Sequence, residues 1–153
     1  MGALSSFGAY GLLAFICGAV LVTQPGFNSV LSSNIGGALN AATISLCVSA
    51  VAILIVRFFF APGLSFSTAM EKTPYWGWFG GFLGVFFVVT SMYVAPRIGA
   101  TALVSLILCG QLVAALVYDR FGILGYGETP ITMTRALGIL LVVAGTGLIL
   151  LRR

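Results

Sequence analysis

The sequence predicts an all-α integral membrane protein with five transmembrane helices in one domain. Three observations carry that prediction. Of the 153 residues, 60% are hydrophobic and 7% charged, against about 25% charged in soluble domains. The mean hydropathy is +1.16. The first charged residue is Arg57, so the 56 residues before it hold nothing that makes a water-facing surface. Long apolar runs, rather than alternating ten-residue segments, select helices over a β-barrel.

A stretch of 56 residues exceeds one span of about 20 residues and must contain a turn. Ser32-Ser33-Asn34-Ile35-Gly36-Gly37 supplies it, being small, polar and glycine-rich. The first helix is expected over about 7–30 and the second over about 37–60. Ala61-Pro62-Gly63 ends the second, since Pro and Gly break helices. Residues 61–74 connect, with Phe66 and Met70 placed to rest on the membrane surface. The third helix is expected over about 74–95, with Pro just inside its start. Tyr75, Trp76 and Trp78 mark that end as interfacial. Pro96-Arg97-Ile98-Gly99 is a tight connection, and the fourth helix follows at about 100–121. A glycine-rich loop leads to the fifth, at about 131–151, which stops at Arg152-Arg153. Arg135, one turn inside it, reaches the interface by its long side chain. Asp119 beside Arg120 is expected to form an interfacial charge pair. The first helix lacks a basic leader and carries Gln24 and Asn28, so it is expected to be a retained span and not a cleaved signal.

Several function classes find no residues here. There is no His, which removes the commonest general base and metal ligand. Cys17, Cys47 and Cys109 are odd in number and widely spaced, unlike a disulfide framework or zinc site. The net charge of +4 is small and reads as loop charge facing lipid headgroups, so no nucleic-acid partner is expected. No ionisable residue lies near the middle of a span, which leaves a proton-exchanging carboxylate, a voltage sensor and a membrane protease without their chemistry. No catalytic residue, cofactor or metal is expected, and the protein is not expected to be an enzyme.

An odd number of spans puts the termini on opposite sides. The N-terminal side receives Arg57, Lys72, Arg120 and Arg135, and the other side Arg97, Arg152 and Arg153. A four-to-three bias barely orients a protein. Either other features fix the N-terminus inside, or the chain inserts both ways and pairs head-to-tail with itself. Two antiparallel copies would make a ten-helix inverted repeat, large enough to enclose a cavity that five helices hardly can. Gly77/Gly81, Gly80/Gly84, Gly11/Gly18 and Gly138/Gly145 form small-residue faces suited to close helix contacts.

Polar side chains within spans tend to face a cavity. Gln24 and Asn28 are four apart and share a face. Pro25 between them lacks an N–H, so the carbonyl of Leu21 loses its partner. Asn40 shares a face of the second helix with Thr43 and Cys47. Ser91 in the third helix and Gln111 in the middle of the fourth complete the substrate-binding candidates: Gln24, Asn28, Asn40, Ser91 and Gln111. Each has a structural alternative in hydrogen bonding its own or a neighbouring helix.

The sequence resembles the YdcZ-type branch of the drug/metabolite transporter (DMT) superfamily. The residues that carry the resemblance are 14–28, closing on Gln24-Pro25-Gly26-Phe27-Asn28; Trp76-Gly77-Trp78-Phe79-Gly80-Gly81-Phe82-Leu83-Gly84 with Ala95-Pro96-Arg97-Ile98-Gly99-Ala100; Gly110-Gln111-Leu112 leading to Asp119-Arg120-Phe121-Gly122; and Arg135-x-x-Gly138 with Ala144-Gly145. Pro directly after Gln departs from the branch's usual Gln-x-Pro-x-Asn. The resemblance implies a multi-pass protein of the bacterial inner membrane, a five-helix half-unit of a ten-helix transporter. It implies function through an antiparallel homodimer or a homologous partner half. The matching positions are Gln24, Asn28, Ser91 and Gln111. The expected function is a secondary transporter exporting small metabolites or drug-like compounds by alternating access. Its rivals are a non-transporting membrane subunit that stabilises or regulates another complex, and a channel.

Overall fold

The computed structural model describes residues 2–61, 63 and 65–151, with side chains described from residue 8 onward. All regular structure among them is helical. Pro62, expected to end a helix, and Arg152-Arg153 lie outside the described residues. The chain forms two compact units that divide between Pro96 and Arg97.

The first unit opens with α1 (Gly2–Leu21) and α2 (Thr23–Asn34), which meet at Val22. That residue keeps helical angles, φ −67° and ψ −19°, and its N–H reaches the Gly18 carbonyl at 3.3 Å. The two therefore make one apolar stretch, Gly8–Asn34, jointed where Pro25 cannot donate to Leu21. It runs past the expected end at residue 30. The Ser33 hydroxyl and the Asn34 amide both donate to the Val30 carbonyl, at 2.7 and 2.8 Å, and hold the last turn in helix. The turn narrows to Ile35-Gly36-Gly37, whose glycines sit at φ +81° and +121°, angles at which a Cβ is strained.

Asn40 closes this turn. Its Nδ2 donates to the Ile35 carbonyl at 2.9 Å and lies 3.5 Å from that of Gly36, so it satisfies carbonyls that the end of α2 leaves open. Asn40→Ala is expected to lower the unfolding free energy by about 1 kcal/mol, read from denaturant melts in detergent.

From Ala38 to Phe60 the chain forms α3. Ala41 and Ala42 at its start are buried and pack with Val88 and Met92, flanked by Leu31, Ile35, Leu46 and Phe87. Alanines allow the close backbone approach on which helix contacts in lipid depend. A short helix, α4 (Phe66–Lys72), occupies the connector; Phe66 meets Trp78 edge-on at 6.2 Å, and Met70 is exposed. The third span was expected to start as α-helix near Pro74. Instead Pro74 is extended, Tyr75–Phe79 form a 3-10 turn, and α5 runs Gly80–Phe121. The reason is local: the Gly77 N–H bonds the Pro74 carbonyl at 2.9 Å, an i to i+3 closure that tightens the turn.

The helix α5 breaks at Gly99, with φ 73° and ψ 161°. The apolar stretch that contains it, Tyr75–Phe121, has 47 residues, about 70 Å of helix against a hydrocarbon core of about 30 Å. It therefore holds two spans. With Gly8–Asn34, Ala38–Phe60 and Met133–Leu151, five crossings are accounted for.

In the second unit, residues 100–121 close at Gly122, φ +60°, and α6 (Met133–Leu151) follows the loop. The two helices are tied by Thr146, which is buried: its hydroxyl lies 3.1 Å from the Cys109 sulfur and donates to the Ser105 carbonyl at 3.5 Å. The expected charge pair is corrected here. Asp119 pairs with Arg135, at 3.3 Å, whereas the Arg120 guanidinium lies over the Phe121 ring. Successive residues on a helix diverge by about 100°, so Asp119 and Arg120 do not face each other. The loop is drawn back to the same helix end by the Thr129 N–H on the Asp119 carbonyl, 2.7 Å, and by Tyr118 stacked on Tyr126.

The outer faces are apolar. Phe15, Ile53, Phe58, Phe82, Phe86, Leu140 and Leu148 are all exposed, an arrangement suited to lipid and not to water. Gly77 approaches a neighbour closely, a Cβ there meeting the Thr73 methyl at 2.8 Å, but the other expected glycine contacts are not made within the units. A Cβ built on Gly11, Gly18, Gly80, Gly81, Gly84, Gly138 or Gly145 meets no described atom within 4 Å.

Candidate functional site

The first unit carries an open pocket of about 500 Å³ between the α1–α2 joint and α3. From the joint come Val20, Leu21, Thr23, Gln24, Phe27, Asn28 and Leu31, and from α3 come Ile44, Ser45, Val48 and Ser49. Its depth follows from the helices. Ser45 and Ser49 stand about 10 and 16 Å along α3 from Ala38, and Thr23-Gln24 lie close to the midpoint of Gly8–Asn34. Both walls keep the pocket within the apolar stretches, between their midpoints and the α2–α3 turn.

Asn28 is the most informative lining residue. It is 5% exposed, and its carboxamide makes no hydrogen bond among the described residues. No sealed side-chain nitrogen or oxygen among them lacks a partner, so the surface Asn28 retains is at its amide atoms, on the pocket it lines. A buried amide costs free energy unless something bonds it. Gln24, one turn earlier, is half-buried and likewise unbonded among the described residues. The hydroxyls behave differently. Thr23 donates to the Val20 carbonyl at 2.7 Å and Ser49 to the Ser45 carbonyl at 2.9 Å. Their protons are thus engaged within their own helices and their lone pairs remain to accept. No lining residue is charged.

The structure thus brings two of the five expected residues together, Gln24 and Asn28. Asn40 is occupied in the turn. Ser91 is buried, and its hydroxyl donates to the Val88 carbonyl at 2.9 Å. Gln111 is exposed on the second unit. Ser45 and Ser49 were not among the expected residues. Their signal was present: two hydroxyls four apart in an otherwise apolar helix share a face, as the two amides do.

The family comparison accords with this architecture. A family model, DMT_YdcZ, described as "Putative inner membrane exporter, YdcZ", matches residues 9–148. No curated protein and no solved structure matches the chain. The matched stretch begins in the first span, ends in the last, and includes every residue of the pocket; the chain belongs to the YdcZ family and is a multi-pass protein of the inner membrane.

Proposed function

We propose that the protein is a secondary carrier that exports small metabolites or drug-like compounds by alternating access, and that two oppositely inserted copies form the working unit. The observation that carries this reading is the pocket within the apolar stretches, with Asn28 buried, unbonded and opening into it. A residue arranged only for packing would find a partner among its neighbours. Membership of a family described as exporters supports outward transport. The near-even distribution of Lys and Arg supports insertion in both orientations. In this reading the second copy covers the open side of the pocket and supplies the inverted repeat.

The test is flux in vesicles reconstituted with the purified chain, preloaded with a panel of amino-acid amides, nucleosides and polyols. A carrier gives saturating efflux and counterflow. Gln24→Leu is expected to cut that flux by at least about tenfold, the effect of losing one buried hydrogen bond to substrate, with membrane insertion unchanged. Undiminished flux in this variant removes Gln24 from the site. Reporters fused to the C-terminus should signal on both sides of the membrane; a signal on one side only rules out the antiparallel pair.

A further inference from the structure

The lining of the pocket also specifies what fits it. The chemistry has three parts. First, there is no ionic group among the lining residues, and the only charged residue of α1, α2 and α3 is Arg57, about 12 Å along α3 beyond Ser49. An ion held within an apolar span without a counter-charge loses hydration that neutral groups replace poorly. Second, the hydrogen-bonding groups are all neutral: two amides and the hydroxyls of Thr23, Ser45 and Ser49. Gln24 and Asn28 each offer a carbonyl and an NH₂, while Thr23 and Ser49 offer lone pairs because their protons are engaged. Side chains four apart on one helix face stand about 5–6 Å apart at Cβ, the separation at which one ligand with two amide groups meets both. Third, Phe27, Leu31, Ile44 and Val48 provide apolar wall.

We infer that the pocket takes small uncharged molecules that carry amide-type N–H and C=O groups on an apolar body, and that it rejects ions of the same shape. This rests on reading the pocket as the carrier's substrate site. The amides give paired donor and acceptor contacts, the hydroxyls receive further N–H groups, and the apolar wall covers the body. Charge is rejected because nothing in the lining neutralises it.

The experiment uses three probes with one phenyl body: N-acetylphenylalaninamide, which is neutral; N-acetylphenylalanine, an anion; and phenylalaninamide, a cation at about pH 6. Binding to the full chain in lipid nanodiscs is measured by equilibrium dialysis. The neutral probe is expected to bind at least about tenfold tighter than either ion, a factor of ten being about 1.4 kcal/mol. Asn28→Leu should remove that advantage. Ser45→Asp, which places a carboxylate in the lining, should shift preference to the cation. Equal binding of all three probes, tighter binding of an ion to the wild-type chain, neutral binding unchanged by Asn28→Leu, or no binding of the neutral probe each overturns the inference. The two readings fail separately. Selective binding with no flux of the neutral probe removes the carrier and leaves the charge preference standing. Saturating flux with no charge preference does the reverse.

Discussion

Asn28→Leu is expected to lower transport by about ten- to a hundredfold while making the protein harder to unfold. The two halves of that result come from one cause. The Asn28 side chain is 5% exposed and bonds nothing among the described residues, so its amide, which keeps surface on the open pocket, has only water or a ligand for a partner. Leu branches at Cγ as Asn does, is larger and carries no polar atom; with the open pocket taking the extra volume, the substitution is expected to stabilise by up to about 1 kcal/mol. The same substitution deletes the group that a substrate would bond, and about 1.4 kcal/mol corresponds to each factor of ten in affinity. A residue that served only packing would show loss of stability and little loss of flux. Thermal unfolding in detergent, measured beside counterflow, separates the two: higher stability with lower flux marks a binding residue. Lower stability with unchanged flux excludes Asn28 from the site.

The second large effect belongs to the break between the third and fourth spans. Gly99→Val is expected to cost about 2–3 kcal/mol of stability and to reduce the amount of folded protein recovered from membranes. The angles of Gly99, φ 73° and ψ 161°, lie in a region essentially restricted to glycine. Gly99→Asn should do no better, because Asn tolerates the left-handed helical region and not this one. Gly122 is the internal control. It has φ 60° and ψ 28°, left-handed helical values that Asn adopts. Gly122→Asn should therefore cost less than about 1 kcal/mol, once the Glu128 side chain, 3.2 Å from a built Cβ, gives way. Yields and melting temperatures of the three variants check the order; equal losses at both positions would show that backbone angle does not set the cost.

The elements were legible because lipid imposes a simple rule: each span needs about 20 apolar residues and a polar or glycine-rich break. Ala38–Phe60 and the close of α5 at Phe121 follow from that alone. The ends that moved are those where side chains intervene. Ser33 and Asn34 extend α2 by bonding Val30, and Pro74-Tyr75-Trp76-Gly77 closes a 3-10 turn before α5 starts. The site was partly legible. Gln24 and Asn28 declare themselves by their spacing on one helix. That Ser45 and Ser49 face them depends on how α3 lies against the α1–α2 joint, which no local pattern encodes. Asn40 and Ser91 were visible as polar residues, but their bonding to nearby carbonyls shows only when angles are known. Sixteen residues separate Asp119 from Arg135, and only the return of α6 brings them together.

Pro25 sits at the third position of α2, and its consequence is mechanical. One rung of the ladder, Pro25 to Leu21, is absent, and three residues earlier the Val22 to Gly18 rung measures 3.3 Å. With that rung missing, the joint resists bending less than a stretch of helix whose rungs are all in place. The joint thus coincides with the wall of the proposed substrate pocket, so on that proposal a change in tilt would reshape the binding surface.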